Sequence, residues 1–283
     1  MLYQTYQLQD DIVGRVRYAA TWARTFSAAV GWAAYLGAAR RFEATLELTQ
    51  RFRLTNARPE FHIQPVRVGN RDVPVTEEVV LDLPFGKLRH FVKDVETPKV
   101  LVLAPLSGHF ATLLAGTVQT LLRDHDVYVT DWANARDVPL DAGRFGIDEY
   151  ISYVIRFLEE IGPGAHLLAV CQPCVQGLAA IAVMSEDRNP ATPLSMTLMA
   201  GPVDVRESPT KVNDLANDKP LDWFKRSVIS VVPGRYKGGG RRVYPGFVQL
   251  TAFVMMNFER HRDAHRRMHR HLAEGEIAEA EAG

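Results

Sequence analysis

The fold of this chain is constrained most by short apolar segments that alternate with longer segments of helical periodicity. Four of the apolar segments have the length of a buried strand: 99–106, 126–132, 165–171 and 194–204. Helical periodicity occupies the intervals between them, at 109–125, 147–162 and 175–187. Strands that alternate with helices of this length predict a mostly parallel sheet with right-handed crossovers and flanking helices, which is an α/β fold.

The N-terminal part has a different pattern. Residues 10–54 carry Ala and aromatic side chains at helical spacing, and Gly31 and Gly37 divide the segment. One interpretation is a helical extension that packs on the core, and the other is a surface helix that touches a hydrophobic polymer or granule. Prolines make 60–75 a linker with short extended pieces, and 75–93 predicts a pair of strands joined by a tight turn.

The C-terminal part breaks the alternation again. Residues 205–258 mix aromatic side chains with Gly and Pro, which predicts a cap insertion over the carboxyl ends of the strands, where ligands bind in open α/β sheets. The polar stretch that follows predicts a helix with a poor apolar face, or a frayed tail. The sequence therefore predicts a helical extension, an α/β core, and a cap with a polar tail, at 1–58, 59–204 and 205–283.

Charge balance, apolar segments and cysteine count bear on the partner and the cellular compartment of this chain. The 33 basic and 33 acidic residues balance, so the charge gives no indication of a nucleic-acid partner. The start of the chain lacks the basic and apolar blocks of a secretory signal, and no apolar run approaches the roughly 20 residues needed to span a bilayer. Two cysteines cannot form a disulfide framework, which favours a reducing compartment. We therefore expect a cytoplasmic protein without a transmembrane segment.

The sequence predicts no cofactor and no metal. Neither glycine-rich phosphate motif, G-x-G-x-x-G or G-x-x-x-x-G-K-[ST], occurs. The run Gly238–Gly240 precedes Arg241 and Arg242, which would suit a phosphate, but it does not join a strand to a helix, so a flexible loop is favoured. Three histidines of the polar tail would share one face of a helix: His261, His265 and His269. A solvated helix is favoured there over a zinc site.

The segment LLAVCQPCVQGLAAI carries the chemistry. A buried strand ends at Cys171 and a helix begins immediately after it, which is the position of the nucleophile elbow in α/β-hydrolases. The positive end of the helix favours a thiolate there, and its free N–H groups, that of Gln172 among them, can hold an oxyanion. The segment departs from G-x-S-x-G, since Cys replaces Ser while Ala169 and Pro173 replace the glycines. A buried, inert cysteine therefore stays open as an alternative.

Further candidates lie near the predicted carboxyl edge of the sheet. The loop after the 99–106 strand supplies the second oxyanion-hole N–H in this fold, and Ser107 or its neighbour is the candidate. Three more residues follow strands and are candidates for lining the site: His109, Asp131 and Asp204. The alternatives are a packing role for the histidine and loop or N-cap hydrogen bonding for the two aspartates.

The two cysteines also form a C-x-x-C pair, since Cys171 and Cys174 are separated by Gln and Pro. Such a pair after a strand and at the start of a helix is the thioredoxin-type redox arrangement. Thioredoxin domains are small and place the pair after their first strands, whereas several strand–helix units precede it here. Thiol–disulfide exchange is therefore the less favoured chemistry.

Several long motifs of this chain occur in a known family in the same order: LAPLSGHFATLL, HDVYVTDWANARDVPL, VCQPCVQGLAAI, MAGPVDVRESPTKVNDLA and GGGRRVYPGFVQL. Through them the chain resembles the intracellular poly(3-hydroxybutyrate) depolymerases, from residue 1 to about residue 260. The resemblance implies an α/β-hydrolase-like fold and hydrolysis of ester bonds in amorphous storage polyester, which releases 3-hydroxyacid oligomers and monomer.

The resemblance also implies a Cys-His-Asp triad whose cysteine lies in the CQP elbow, at Cys171. A histidine would deprotonate the thiol, the thiolate would attack the ester carbonyl, and water would release the acyl group. The Asp and His of the family lie beyond the insertion, after two further strands, and no segment here matches either motif. We therefore expect a chain truncated at its C-terminal end, as a fragment, a shortened reading frame or a frameshift product. The last strands would be missing and a sheet edge exposed.

The sequence thus predicts an α/β-hydrolase-like polyhydroxyalkanoate depolymerase in the cytoplasm, with the polymer or granule surface as its partner and self-association open. Two alternatives remain. One is a non-catalytic protein that coats polymer granules, and the less favoured one is a dithiol oxidoreductase.

Overall fold

The structure is a computed structural model, and it describes residues 2–30, 37–51, 58–106, 110–250 and 258–274. The chain forms two compact units, one made of Met1–Ala57 with Phe247–Gly283 and the other of Arg58–Gly246. The three-part division predicted from the sequence has other boundaries and stays a prediction.

The elements of the described residues are numbered here in chain order. The helices are α1 (Leu2–Val30), α2 (Gly37–Arg51), α3 (Ala115–Leu121), α4 (Ile147–Ile161), α5 (Pro173–Glu186), α6 (Lys211–Asp218), α7 (Leu221–Ser227) and α8 (Phe258–Glu274). The strands are β1 (Val66–Val68), β2 (Arg71–Val73), β3 (Thr76–Leu83), β4 (Gly86–Val92), β5 (Lys99–Leu103), β6 (Asp126–Trp132), β7 (His166–Val170), β8 (Met196–Met199), β9 (Ser230–Val231) and β10 (Arg242–Val243).

The predicted order of strands and helices is confirmed. Each of the four apolar segments contains a strand, and α3, α4 and α5 lie in the intervals between them. A 3-10 turn over Ala111–Leu114 precedes α3, which the periodicity did not indicate. The last of the four strands, β8, is shorter than predicted and ends at Met199, because Ala200 takes a left-handed conformation with φ +52°.

Six strands form the central sheet of the second unit, in the order β3-β4-β6-β5-β7-β8. β4 runs antiparallel to both of its neighbours, and the remaining pairs along the sheet are parallel, so the prediction of a mostly parallel sheet is confirmed. In the part of the chain that the structure describes, β8 is an edge strand. Because the parallel strands share one direction, their carboxyl ends lie along one edge of the sheet, where ligands bind in this fold class.

Helices cover both faces of this sheet. On one face, Leu101 and Leu103 of β5 pack with apolar side chains of α4 and α5, namely Val154, Phe157, Leu158, Ala180 and Met184. On the other face, Val100 and Val102 pack in a second cluster, with Val118 and Leu122 from α3 and its end. The alternation along β5 follows from the two-residue period of a strand. Each such side chain contributes about 2 kcal/mol when it leaves water, before the cost of ordering it.

The first unit is helical, as the sequence predicts. Two hydrogen bonds join α1 to α2: Arg17 Nε donates to the Gln50 carbonyl oxygen at 3.0 Å, and Arg24 Nη1 donates to Gln50 Oε1 at 3.1 Å. Of the two glycines expected to divide the segment, Gly37 is the first residue of α2, and Gly31 lies outside the described residues.

The polar stretch near the C-terminus forms α8 over its described residues. His269 Nε2 lies 3.1 Å from Thr45 Oγ1 of α2, so this helix packs within the first unit. The side chains of His261 and His265 lie outside the described part of the chain, within which no group of three His, Cys, Asp or Glu is placed to hold a metal. Nor does any described helix have the length and apolar content needed to cross a membrane.

The glycine run of the insertion forms a turn between β9 and β10 that packs closely on the core. The Gly238 N–H donates to the Arg136 carbonyl oxygen at 2.9 Å. A Cβ added at Gly238 would come within 2.8 Å of three carbonyl oxygens, those of Ala135, Arg136 and Val138. Gly240 has φ +90°, which glycine adopts without steric cost. These glycines therefore let the insertion lie directly on the loop that follows β6.

Arg241 extends this contact. Arg241 is only 8% exposed, and its guanidinium donates to the backbone carbonyl oxygens of Val138, Pro139 and Gly143. The guanidinium carbon also lies 4.9 Å from the centre of the Phe85 ring. Because these donors are already matched to carbonyl oxygens, Arg241 fastens the insertion to the core and is not available to a phosphate.

We expect Gly238→Ala to lower the stability of the second unit, because the added methyl group has no space among the three carbonyl oxygens. Overpacking of this kind costs about 1–3 kcal/mol, which lowers Tm by several degrees in thermal unfolding followed by circular dichroism. Gly234→Ala is the matched control, since a Cβ at that position meets nothing within 4 Å. Equal Tm values for the two variants would contradict the packing argument.

Candidate active site

Cys171 occupies a strained turn between β7 and α5. β7 ends at Val170 and α5 begins at Pro173, so only Cys171 and Gln172 join them. Cys171 has φ +67°, a left-handed conformation that costs a non-glycine residue about 1–3 kcal/mol and persists only where the surroundings enforce it. Its side chain is partly exposed. A strained strand-to-helix turn that presents one side chain is the geometry of a nucleophile elbow.

Backbone hydrogen bonds hold this turn from both sides. The Cys171 N–H donates to the Met199 carbonyl oxygen at 2.7 Å, and the Cys171 carbonyl oxygen accepts from the Cys174 N–H at 3.1 Å. Among the described residues, the N–H of Gln172 has no acceptor. It lies at the N-terminus of α5, where free N–H groups and the helix dipole favour an anion. Among the described residues, this N–H is therefore available to an anion beside Cys171.

Packing accommodates the two departures from the G-x-S-x-G pattern. Ala169 is fully buried, and it faces a glycine of α5: a Cβ on Gly177 would lie 3.6 Å from the Ala169 Cβ and 3.2 Å from Leu103 Cδ1. Pro173 is the first residue of α5, where its missing N–H breaks no helical hydrogen bond. Neither substitution therefore prevents the close packing of helix on sheet that the elbow requires.

Cys174 lies buried beneath the turn. Its thiol is within 3.3 Å of the Ala169 carbonyl oxygen and 3.6 Å of the Met199 carbonyl oxygen, to which it is a weak donor. Burial raises the pKa of the Cys174 thiol, so this residue stays protonated at neutral pH. Since the thiolate is the reactive form, the description of a buried, inert cysteine fits Cys174 rather than Cys171.

Gly201 is a site residue that the sequence analysis did not single out. A Cβ there would overlap the Cβ and Sγ atoms of Cys174 and lie 2.8 Å from the Cys171 carbonyl oxygen. Only a glycine therefore lets the chain after β8 pass beside the turn. A glycine two residues after the end of the strand that neighbours the elbow strand is the sequence signal that would have identified it.

Two side chains of β6 fix the chain where it leaves β5. The Ala104 N–H donates to Thr130 Oγ1 at 2.9 Å, and Trp132 Nε1 donates to the Ala104 carbonyl oxygen at 2.9 Å. Both side chains are buried, so water does not compete for these bonds. Ser107 and His109, predicted for the oxyanion hole and the site lining, follow in this loop but lie outside the described residues.

Asp131 lies near the carboxyl end of β6, where the sequence places it, but its carboxylate is already paired. Oδ2 is 2.6 Å from Arg89 Nε and 2.8 Å from Arg58 Nε, and both guanidinium groups also contact Glu77. The residue is 6% exposed. These ion pairs account for its burial without a catalytic role, and its part in the site stays a prediction.

Asp204 lies in the loop after β8 and pairs with its neighbour Arg206. Oδ2 accepts from Arg206 Nη2 at 2.7 Å, and Oδ1 accepts from Nε at 2.8 Å and from the Arg206 backbone N–H at 3.0 Å. The hydrogen bonds from the Arg206 side chain lower the pKa of Asp204. This is the loop hydrogen bonding considered as the alternative, and a part in the site stays a prediction here too.

No described imidazole is hydrogen-bonded to the Cys171 thiol. His166 begins β7 and lies 2.7 Å from Ser195 Oγ, at the opposite end of that strand from the turn. His90 lies 2.7 Å from Asp126, the first residue of β6. Both histidines therefore lie toward the amino ends of the parallel strands, and a base for Cys171 is not found among the described residues.

The mostly parallel sheet, the helices on both of its faces and the elbow at Cys171 define an α/β-hydrolase-like fold. Among solved structures, the chain is similar to the Francisella virulence factor BioJ, with 13% identity, a TM-score of 0.34, and 58% of this chain and 52% of that chain covered. It is also similar to a putative lipase (lip1) from Acinetobacter baumannii AYE, with 13% identity, a TM-score of 0.37, and 73% and 65% covered. The chain thus spans about half the length of the first protein and just under two thirds of the second. Comparison with curated proteins gives no match.

Residues 200–283 match the model of the family described as "PHB de-polymerase C-terminus". The resemblance inferred from the sequence motifs is thereby confirmed over residues 200–283, which are similar to that C-terminal region. The matched region begins at Ala200, beside Gly201, so its first residues are those that pack against the Cys171 turn.

In the native protein, iodoacetamide should alkylate Cys171 far faster than Cys174, because only Cys171 is partly exposed and burial keeps Cys174 protonated. Fragment-ion mass spectrometry measures this, since both thiols lie in one tryptic peptide. Cys171→Ala is the control and should remove the fast labelling. Rapid modification of Cys174 in the folded protein would show that its burial is wrong.

Replacing Gly201 by Ala should both destabilise the protein and slow alkylation of Cys171, because the new methyl group displaces the turn. The expected loss is about 1–3 kcal/mol, read from Tm. Gly116→Ala in α3 is the control, since a Cβ there meets nothing within 4 Å and alanine suits a helix interior. If Gly201→Ala behaved like this control, Gly201 would have no steric role at the turn.

Proposed function

We propose that this chain is a carboxylic ester hydrolase with Cys171 as its nucleophile. The observation that carries the proposal is the left-handed backbone of Cys171, φ +67°, between a buried parallel strand and the N-terminus of a helix. Strain of this kind concentrates where a residue has a chemical task. The family match from residue 200 onward supports ester hydrolysis as the class of reaction.

The proposed mechanism uses the groups of the turn. The Cys171 thiol gives its proton to a base, and the thiolate attacks the ester carbonyl carbon, whose oxygen becomes an oxyanion held by the Gln172 N–H. The alcohol leaves with a proton from the protonated base, and a thioester on Cys171 remains. Water then attacks the thioester and gives a proton to the base, after which the acid leaves and the thiol is restored. The resemblance to the depolymerases implies that this base is a histidine held by an aspartate.

The proposed substrate is poly(3-hydroxyalkanoate), with 3-hydroxyacid monomers or oligomers as products. The family match supports a storage polyester, and the balance of 33 basic and 33 acidic residues suits an uncharged substrate. The proposal includes a cytoplasmic location at polymer granules. It also includes a cap, at 205–258, over the carboxyl edge of the α/β core, which the three-part division of the chain describes.

A second candidate is a non-catalytic protein that binds polymer granules. It is favoured by the finding that no imidazole of the described residues contacts the Cys171 thiol. Dithiol redox chemistry stays the less favoured alternative, because several strand–helix units precede the C-x-x-C pair.

Release of 3-hydroxybutyrate from amorphous polymer granules by the full chain tests the proposal. Cys171→Ala should lower the rate by about a thousandfold or more, as removal of a nucleophile does, whereas Cys174→Ser should keep most of it because that thiol is buried. A thioester on Cys171, trapped with a slow ester and seen by mass spectrometry, would support the same step. Granule binding without release would favour the second candidate, and release that survives Cys171→Ala would falsify the nucleophile assignment.

A further inference from the structure

Helix α1 presents a broad apolar face on its exposed side. Six of its large apolar side chains are more than half exposed: Leu8 (63%), Ile12 (51%), Val16 (52%), Tyr18 (66%), Trp22 (62%) and Phe26 (68%). At 100° per residue they fall within an arc of about 160° on one side of the helix. We call these six side chains the α1 face. Exposed apolar side chains that cluster on one surface mark interaction sites in soluble proteins.

The opposite side of α1 is already occupied. Tyr3, Tyr6 and Ala20 are buried, and the Tyr6 ring stacks on that of Phe247 at 4.1 Å between centroids. Arg24 pairs with Glu47 of α2 at 3.0 Å, beside the two bonds that α1 makes to Gln50. The helix is therefore held in one rotational setting within the first unit, and packing on α2 does not cover the α1 face.

The charge of the exposed side indicates an uncharged partner. Among the described residues of α1, the exposed charged residues are Asp11 and Arg15, and their charges cancel. An anionic lipid surface recruits amphipathic helices through an excess of Lys and Arg on the flanks of the apolar face, and α1 has no such excess there. Tyr18 and Trp22, in edge contact at 6.2 Å, add an O–H and an N–H donor to this face, which Asp11 and Arg15 leave without net charge.

We propose that the α1 face docks the protein on the surface of an amorphous aliphatic polyester. Such a polymer is uncharged and apolar, and its ester oxygens accept hydrogen bonds but donate none, which matches a neutral apolar face with aromatic donors. The arc of about 160° is wider than the narrow seam through which two helices pair, and a broad face suits an extended surface better than a second helix. The identity of the polymer rests on the proposed function.

Co-sedimentation of the full chain with lipid-free amorphous poly(3-hydroxybutyrate) particles tests this docking. The double variant Trp22→Ser/Phe26→Ser removes two exposed rings, so its fold should be unchanged by circular dichroism. Its Kd for the particles should rise by about tenfold or more, because the area of two aromatic side chains no longer leaves water. Leu194→Ser/Ile147→Ser, at 71% and 56% exposure in the second unit, is the matched control and should bind as the wild type does.

Three results would overturn the proposal: wild-type chain that does not sediment with the particles, a Trp22/Phe26 variant that sediments like the wild type, and binding to phosphatidylglycerol vesicles in place of the polymer. Loss of a dimer in sedimentation velocity, with particle binding unchanged, would likewise assign the α1 face to self-association. Hydrolysis of soluble p-nitrophenyl butyrate by the double variant should equal that of the wild type. Particle binding without product release would count against the hydrolase alone and would support the docking face.

Discussion

The left-handed backbone at Cys171 is held by neighbours that come from different segments of the chain. Met199, at the end of β8, accepts its N–H, the first turn of α5 bonds its carbonyl oxygen, and Gly201 leaves room beside it. Because this conformation costs about 1–3 kcal/mol, the turn would relax if the surrounding contacts were lost. The thiol is therefore presented only when β7, β8 and α5 have assembled, and the proposed chemistry depends on the folded sheet.

Because the parallel strands share one direction, the candidate site residues and the paired histidines lie at opposite edges of the sheet. The Cys171 turn, the Gln172 N–H and the start of the loop at Ala104 all lie at the carboxyl edge. The described histidines of the sheet, His90 and His166, lie toward the amino ends, each with a polar partner of its own. The insertion is fastened beside the loop after β6 by buried polar contacts, which hold it more firmly than its glycine-rich composition indicates.

The sequence predicted the parts of the site that depend on neighbours along the chain. A buried strand followed at once by a helix is a local pattern, and the structure has β7 and α5 on either side of Cys171 as that pattern predicted. The pattern could not predict the role of Gly201, because that role depends on a contact between the segment after β8 and Cys174 of α5. Asp131 shows the same limit, since its position at a strand end was predicted but its pairing with Arg89 comes from β4. Contacts between residues far apart in the sequence leave no periodic signal.

The sequence by itself determined the alternation of strands and helices, the order of the chemistry-bearing segments and the resemblance to the depolymerases, because apolar periodicity and motifs are properties of the linear chain. The tertiary structure alone decided which cysteine is partly exposed and which is buried, that Asp131 and Asp204 are paired with arginines, and that the turn at the glycine run packs closely on the core. Each of these outcomes depends on how near two segments come after folding, and burial, strain and pairing exist only once that distance is fixed.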